Sequence, residues 1–220
     1  MPDNVTEYFN SSARAFDSLY DLENMNFVWR YINSRFRHDI HDRLLLTMKH
    51  IEEYNLKTIL DVGCGSGRYE VAISKLDIKK IVALDGSLNM IKVAKEKMGK
   101  IRLSDNKIIS LDCVNFMDFQ TKEKFDLVVS MGVFDYISDP LPYLIKMKDL
   151  ALHSIIASFP SFSFYRSPFR KFRYLIKKCP VYSYTSRDID YFSRQLQSNR
   201  IKIIKLKGSS GDFIVTFFLK

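Results

Sequence analysis

One stretch, ILDVGCGSGRY from Ile59 to Tyr69, limits the possible fold more than any other part of the chain. Apolar residues surround a single acid, Asp61. Glycines then fall at alternate positions, namely Gly63, Gly65 and Gly67. With the helical pattern that follows, this order predicts a buried parallel strand, a tight turn and a helix N-terminus. Glycine allows positive φ and close approach of a ligand, so the stretch is typical of a nucleotide-type cofactor site.

The spacing of the glycines separates two classes of cofactor. The dinucleotide fingerprint has its third glycine one position further on, where this chain has Arg68. The spacing found here, Asp-x-Gly-x-Gly-x-Gly, closely resembles the first motif of class I S-adenosylmethionine-dependent methyltransferases. Three further motifs follow in order, and the four together extend the resemblance over about residues 55 to 160. The resemblance implies S-adenosylmethionine as the cofactor.

The second motif, IVALDGS, has the pattern of an apolar strand that ends in Asp85. This acid lies about 20 residues beyond the glycines, where a ribose-binding carboxylate is expected. One carboxylate can accept hydrogen bonds from both ribose hydroxyls. The alternative is an aspartate that caps the next helix. Because Ser87 is already placed for capping, we favour the ribose contact for Asp85.

The third motif, IISLDCVNF, ends a strand at Asp112, and the fourth, FDLVVSMGVFDY, runs from a strand into a loop. The resemblance implies that Asp112 accepts from the adenine amino group and that the backbone of Cys113 contacts the ring. It also implies that the loop of the fourth motif faces the methyl donor. For Met90, packing in the core is the favoured alternative to an adenine contact. The cofactor-binding residues so implied are Asp61, Gly63, Cys64, Gly65, Gly67, Asp85, Gly86, Ser87, Met90, Asp112, Cys113, Val114, Met131 and Gly132.

Strand and helix patterns alternate five times between residues 58 and 160. The predicted strands cover about 58–62, 80–84, 107–111, 125–130 and 153–159, and the predicted helices cover about 67–77, 87–98 and 140–149. A helix from Thr185 to about Ser198 and two strands, Arg200–Lys207 and Asp212–Leu219, follow. We therefore predict an α/β, Rossmann-like fold with a seven-stranded, mostly parallel sheet, helices on both faces and a C-terminal antiparallel hairpin.

We interpret the 220 residues as one methyltransferase domain, because neither repeats nor a linker interrupt the pattern. Its parts are N-terminal helices over 1–57, a cofactor-binding core over 58–160, a basic aromatic insertion over 161–184, and a helix with the terminal hairpin over 185–220.

The N-terminal part contains two apolar patterns of helical spacing. The first, from Tyr8 to Tyr20, resembles the opening of the magnesium-protoporphyrin and quinone-pathway methyltransferases, in which it folds over the cofactor as a lid. A plain packing helix is the alternative. For the second, at Ile40, Leu44, Met48 and Ile51, we favour a helix that packs on the sheet. Between them, Arg30, Arg35, Arg37 and His38 are interpreted as a solvated face, with contact to a cofactor or substrate carboxylate as the alternative.

Composition excludes several classes of protein. A hydrophobic content of 46% fits a globular chain, and no apolar run approaches the ~20 residues of a membrane span. The N-terminus lacks the pattern of a secretory signal, and the three cysteines form no CxxC pair. A reduced cytoplasmic protein is the simplest interpretation. No His/Cys cluster has zinc spacing, so we expect no metal site.

The chemistry follows from the implied donor. Transfer of a sulfonium methyl is an in-line displacement, which demands alignment and exclusion of water. Asp135 and Tyr136 follow the fourth strand and are the nearest catalytic candidates, and Tyr20 reaches the same place from a lid. The fourth motif lacks the signature of base-amino methyltransferases, and no Pro-Cys nucleophile is present. We therefore favour a small-molecule acceptor, with oxygen as the atom methylated. An RNA-modifying methyltransferase and a noncatalytic cofactor-binding or partner protein are the alternatives.

Positive charge is concentrated in one stretch, Ser161 to Lys207. It holds twelve Lys and Arg against Asp188 and Asp190, an excess of ten charges in a chain whose net charge is +9. With its interleaved aromatics, this stretch suits an anionic small molecule, a membrane surface carrying a lipid substrate, or nucleic acid, of which nucleic acid is least favoured. An ordinary solvated face is the alternative.

Overall fold

The computed structural model describes residues 3–18, 27–102, 104, 106–161, 180–206 and 211–219, with side chains described for residues 5–13 and, within those ranges, from residue 39 onward. The helices are α1 (Asp3–Ser18), α2 (Phe27–Glu53), α3 (Arg68–Ile73), α4 (Leu88–Met98), α5 (Leu141–Leu150) and α6 (Ser186–Leu196), with a short 3-10 helix at Phe134–Tyr136. The strands are β1 (Thr58–Val62), β2 (Lys80–Asp85), β3 (Ile108–Cys113), β4 (Phe125–Ser130), β5 (Ala151–Phe159), β6 (Arg200–Lys205) and β7 (Phe213–Phe218).

The seven strands form one sheet in the order β3-β2-β1-β4-β5-β7-β6. The first five strands in this order are parallel, and β7 pairs antiparallel with both β5 and β6. The predicted fold is thus confirmed, including the antiparallel end. The strand order reverses direction at β1, because β2 and β4 flank it on opposite sides, and ligands of open α/β sheets bind at such a point.

Two apolar cores cover the two faces of the sheet. One joins Leu60, Val128 and Val215 with residues of α5 and α6, such as Leu144 and Phe192. The other joins alternate strand residues, such as Ile59 and Val129, with residues of α2 and α4. The alternation follows from the two-residue period of a strand, and the near-continuous apolar runs of β1 and β4 follow from burial on both faces.

Some boundaries differ from the predicted ones. Helix α3 ends at Ile73 instead of running on to residue 77, and Lys107 Nζ donates to the carbonyls of Ser74 (2.7 Å) and Leu76 (2.7 Å) just beyond it. Strand β3 extends to Cys113, which lies opposite Asp85 in the parallel register. The turn predicted between the terminal strands lies largely outside the described residues.

Helix α2 packs on the sheet as predicted, but the residues it buries are not the predicted set. Of the four apolar positions, Ile51 is fully buried and the others are partly exposed. The stripe that faces inward is polar instead. It consists of Asp39, Arg43, Thr47 and His50. These residues are three to four apart and so share one helix face. Among the described residues, no helix is long and apolar enough to cross a membrane.

Candidate functional site

The glycine loop between β1 and α3 needs glycine at three positions for its backbone conformation, and at two of them also for close packing. All three glycines have positive φ: 81° at Gly63, 55° at Gly65 and 76° at Gly67. A Cβ on Gly63 would meet Val133 Cγ2 at 2.2 Å, and one on Gly67 would meet Ala94 Cβ at 2.8 Å. A Cβ on Gly65 would meet no described atom within 4 Å. The first and third glycines therefore allow close packing, whereas the space beside Gly65 is open to a ligand.

Asp85, at the end of β2, holds this loop from the side. Its Oδ2 accepts from Gly65 N at 2.9 Å, and its Oδ1 accepts from Ser87 N at 2.8 Å. Burial raises the pKa of Asp85, and these two hydrogen bonds oppose the rise. Ser87 is the N-cap of α4, since its Oγ accepts from Met90 N at 3.2 Å. Ser87 thus caps the helix and Asp85 supports the loop, and the carboxylate of Asp85 keeps lone pairs that can accept from further hydrogen-bond donors.

The end of β3 forms the next part of the edge. Asp112 and Cys113 are exposed, and Val114 N donates to the carbonyl of Asp85 at 3.0 Å. Met90, in contrast, is only 1% exposed and packs in the core, in agreement with the alternative favoured for it. A cleft opens between these strand ends. It is lined by Val62, Gly63, Leu84, Asp85, Gly86, Val114, Asn115, Phe116, Val133 and Tyr143.

The end of β4 brings the catalytic candidates to the same edge. Gly132, with φ 82°, donates from its N–H to Ser158 Oγ at 2.7 Å. A Cβ built on Gly132 would lie 4.0 Å from Asp135 Oδ2, so this carboxylate is beside the turn. Tyr136 is buried and meets Phe9 of α1 at 5.3 Å between ring centroids. Tyr20 lies outside the described residues.

Sequence reasoning missed Arg43. Its guanidinium is mostly buried and forms an ion pair with Asp212, which precedes β7. Its Nη1 lies 3.9 Å from the position that a Cβ on Gly132 would have. The negative charges of Asp135 and Asp39 raise the pKa of Arg43 further. Its Nε has no hydrogen-bond partner among the described residues. The signal that was available is the polar stripe at helical spacing, which the neighbouring apolar pattern obscured.

Helix α1 lies across the edge. Asn10 Oδ1 accepts from Ser87 Oγ at 2.8 Å and from Asn89 N at 3.3 Å. Thr6 lies beside Gly86, and Phe9 packs on Tyr136. The helix thus joins the β2 end of the site to the β4 end, a position that fits the predicted lid.

These features suit S-adenosylmethionine. The space beside Gly65 is open, and a cleft lined by Val114 and Phe116 lies at the same strand ends. A carboxylate, Asp85, and a buried cation, Arg43, lie at opposite ends of the edge. The sheet order with its antiparallel end, together with this edge, defines the class I S-adenosylmethionine-dependent methyltransferase fold.

Comparison with known proteins agrees with this assignment of the fold. Residues 59–150, under half of the chain, match the family described as methyltransferase domain, and this match supports a class I S-adenosylmethionine-dependent methyltransferase with S-adenosylmethionine as its cofactor. The crystal structure of magnesium protoporphyrin IX methyltransferase from Synechocystis PCC 6803 with bound SAH is similar, with a TM-score of 0.75 and 16% identity, covering 98% of each chain. At this identity the likeness shows the fold.

Two curated relatives differ in what their names say they methylate or modify. The mitochondrial ubiquinone biosynthesis O-methyltransferase of Dictyostelium discoideum is 25% identical over 167 residues, which is 68% of this chain and 51% of that protein. The tRNA U34 carboxymethyltransferase of Shewanella sp. (strain ANA-3) is 29% identical over 103 residues, 46% of this chain and 30% of that protein. The chain therefore spans about half the length of the first and under a third of the second.

Proposed function

We propose that the protein transfers the methyl group of S-adenosylmethionine to an oxygen of a small-molecule acceptor. The observation that carries this proposal is the turn after β4, where Asp135 lies beside Gly132 and the adjacent Tyr136 packs on Phe9 of α1. This carboxylate would accept a proton from an acceptor hydroxyl. Bound S-adenosylmethionine supplies a methyl group already activated by its sulfonium.

Other residues of this chain would bind the donor and exclude water from the site. Asp85 would accept from the ribose hydroxyls, and the buried guanidinium of Arg43 would pair with the carboxylate of the methionine part. Val5, Phe9 and Tyr136 form an apolar cluster that would keep water from the transferring methyl. Asp112 and the backbone at Cys113 would contact the adenine. Alignment of acceptor and donor then supplies most of the rate enhancement.

The acceptor is proposed to be anionic or lipid-linked. The excess of ten positive charges between Ser161 and Lys207 supports an anionic group on the acceptor. One similar protein is named as an O-methyltransferase of ubiquinone biosynthesis, and another as a magnesium protoporphyrin IX methyltransferase. A carboxylated porphyrin and a prenylated phenol are therefore the first acceptors to test.

A second candidate function is modification of RNA. The same basic stretch and the similarity to a tRNA-modifying enzyme support it. The small-molecule proposal is preferred because no added RNA-binding module is visible in the sequence.

One assay separates the alternatives. The protein is incubated with methyl-labelled S-adenosylmethionine and, separately, with a carboxylated porphyrin, a prenylated phenol and bulk tRNA. We expect label in a small molecule, and we expect Asp135→Asn to lower its rate by about 10²-fold or more, the scale of general-base catalysis. Label confined to tRNA would favour the RNA-modifying alternative. Tight binding of the donor without transfer to any acceptor would favour a noncatalytic protein.

A further inference from the structure

The segment that follows β3 forms part of the wall of the cleft. Val114, Asn115 and Phe116 line the cleft, as do Asp85 and Gly86 at the end of β2. Val114 N donates to the carbonyl of Asp85 at 3.0 Å, so the segment is joined through its backbone to the residue proposed to bind the ribose. It also continues directly from the two residues proposed to contact the adenine. Its conformation therefore bears on the adenosine part of the proposed donor site.

Hydrogen bonds within this segment close it into a turn. Asn115 Oδ1 accepts from Met117 N at 3.2 Å. The carbonyl of Asn115 accepts from Asp118 N at 2.9 Å and from Phe119 N at 3.1 Å. The later carbonyls of the turn, those of Met117 and Phe119, accept from a side chain of another element.

Lys146 of α5 supplies that side chain. Its Nζ donates to the carbonyl of Met117 at 2.8 Å and to the carbonyl of Phe119 at 2.6 Å. The same ammonium lies 5.2 Å from the centroid of the Phe116 ring, which is within the range of a cation–π interaction. One charged group thus contacts the turn at two carbonyls and one ring.

Tyr143, one turn earlier on α5, also supports Phe116. Positions 143 and 146 are three apart and therefore share one helix face. The ring centroid of Tyr143 lies 5.9 Å from that of Phe116 and 6.5 Å from that of Phe134. Of the described residues of α5, Tyr143 lines the cleft and Lys146 does not. Phe116, only 5% exposed, is thus held by one residue that lines the cleft and by one that acts only through the turn.

We propose that Lys146 is a positioning residue for donor binding: it fixes the turn after β3 in the arrangement that places Asn115 and Phe116 at the adenosine part of the donor. The inference rests on the proposed cofactor function. Without the ammonium, two carbonyls and one ring lose a common partner, so the turn samples other arrangements. The apparent affinity for the donor then falls in proportion to the fraction of molecules that keep the binding-competent arrangement.

The proposal specifies which part of the donor depends on Lys146. The turn adjoins the residues proposed for ribose and adenine, whereas Arg43, proposed for the methionine carboxylate, lies beside the turn after β4. Two ligands separate these parts. S-adenosylhomocysteine, the product of methyl transfer, contains both, and 5′-methylthioadenosine keeps the adenosine but lacks the amino-acid part. Loss of Lys146 should weaken binding of both ligands by the same factor, and Arg43→Lys should weaken binding of S-adenosylhomocysteine alone.

Titration calorimetry with the two ligands tests the proposal. We expect Lys146→Met, which keeps the length of the side chain but not its charge, to bind both about tenfold more weakly, the lower end of the range for a hydrogen bond that involves a charged group. Lys146→Arg keeps charged donors and should recover most of the affinity. Lys148→Met is the matched control, because a residue two positions along α5 faces another side of the helix. Its affinities should equal those of the unmodified protein.

The outcomes separate positioning from a merely structural role. Unchanged affinity of folded Lys146→Met for both ligands would overturn the proposal, even if the variant unfolds more easily. A loss confined to S-adenosylhomocysteine, or an equal loss in Lys148→Met, would also overturn it. If Lys146→Met does not fold, Lys146→Gln, which keeps neutral hydrogen-bond donors, replaces it in the same comparison. Failure of the unmodified protein to bind S-adenosylmethionine and S-adenosylhomocysteine would instead count against the proposed cofactor function.

Discussion

At the scale of single residues, Asp85 combines support of the loop with the proposed ribose contact. Its two oxygens already accept from Gly65 N and Ser87 N, so the carboxylate is fixed before a ligand arrives. We expect Asp85→Ala to weaken binding of S-adenosylmethionine by roughly 1.5–3 kcal/mol, the scale of hydrogen bonds to a charged group. Calorimetry would measure this, with Asp77→Ala, an exposed carboxylate, as the control. Unchanged affinity in Asp85→Ala would rule out the ribose contact.

Arg43 leads to a prediction with two readouts. Replacing it by alanine leaves the Asp212 carboxylate buried without its ion-pair partner, so we expect a loss of about 3 kcal/mol in the free energy of unfolding. Arg43→Lys keeps the charge but loses the planar fork, so we expect near-normal folding with weaker donor binding. Denaturant unfolding and calorimetry would measure the two effects. Donor affinity unchanged in Arg43→Lys would show that Arg43 acts on the fold alone.

The difference between Asp85 and Arg43 shows what the sequence reveals about the site. Asp85 ends an apolar strand at a fixed distance from three glycines, so its location at the sheet edge follows from local pattern. Arg43 reaches the same edge through the docking of a long helix, and its partner Asp212 is 169 residues away. Glu70 looks like any acid in a first helical turn, and its complete burial depends on how α3 packs. Contacts of this kind are not encoded in local spacing.

At the scale of elements, α1 is expected to act as a lid. We expect hydrogen exchange over α1 to slow when cofactor is added. Asn10→Ala removes the side-chain acceptor for Ser87 Oγ and Asn89 N, so it should speed exchange and weaken donor binding by about 1 kcal/mol. Ser11→Ala is a matched control, because the Ser11 hydroxyl donates within its own helix. Equal, strong protection with and without cofactor would indicate a fixed packing helix instead.

Contact between α2 and β5 leads to a prediction about acid stability. His50 is buried, with its Nε2 2.8 Å from Ser154 Oγ, and burial together with the nearby His153 lowers its pKa to about 4. The unfolded chain takes up a proton near pH 6.5 and the folded chain does not until about pH 4. Stability should therefore fall as the pH drops through this window, by about 2 kcal/mol after allowance for screening.

Denaturant unfolding at several pH values would measure this effect. His50→Gln removes the titrating group and should flatten the dependence between about pH 6.5 and about pH 4. His41→Gln, at an exposed position of the same helix, should retain it. An identical pH dependence in the unmodified protein and in His50→Gln would exclude His50 as the cause.

The elements also show where sequence patterns suffice. Strands β1, β2 and β4 are apolar runs buried on both faces, and their predicted bounds agree with the structure to within one residue. Helix α2 is harder to predict, because its inward stripe is polar and two of its members have distant partners, Asp212 for Arg43 and Ser154 for His50. Periodicity identifies the helix, but tertiary partners decide which of its faces is buried.

At the scale of the whole molecule, charge is unevenly distributed, and the two ends of the basic insertion lie at the proposed acceptor site. Residues 162–179 are outside the described part, but the residues on either side of them are anchored. Ser161 N donates to Asp212 Oδ1 at 3.2 Å, and Tyr182 N donates to the carbonyl of Asp135 at 2.9 Å. The described residues at the two ends of the insertion thus contact Asp212, the ion-pair partner of Arg43, and Asp135, the catalytic candidate, and we propose that an anionic acceptor arrives there.

Reversing three charges in this insertion tests whether it recruits the acceptor. We expect the triple change Arg170→Glu, Lys171→Glu and Arg173→Glu to lower activity on the true acceptor while donor affinity is kept, because the proposed donor site is at the glycine loop. High salt should reduce the activity of the unmodified protein similarly. Screening limits the distance over which exposed charges interact to about 8 Å at physiological ionic strength, and to less at high salt. Steady-state kinetics at low and high salt would measure both effects. The matched control reverses three exposed lysines on or beside α4, Lys92, Lys95 and Lys100, and should leave turnover unchanged. If the insertion variant turns over normally at low salt, the insertion is an ordinary solvated surface and the acceptor need not be acidic.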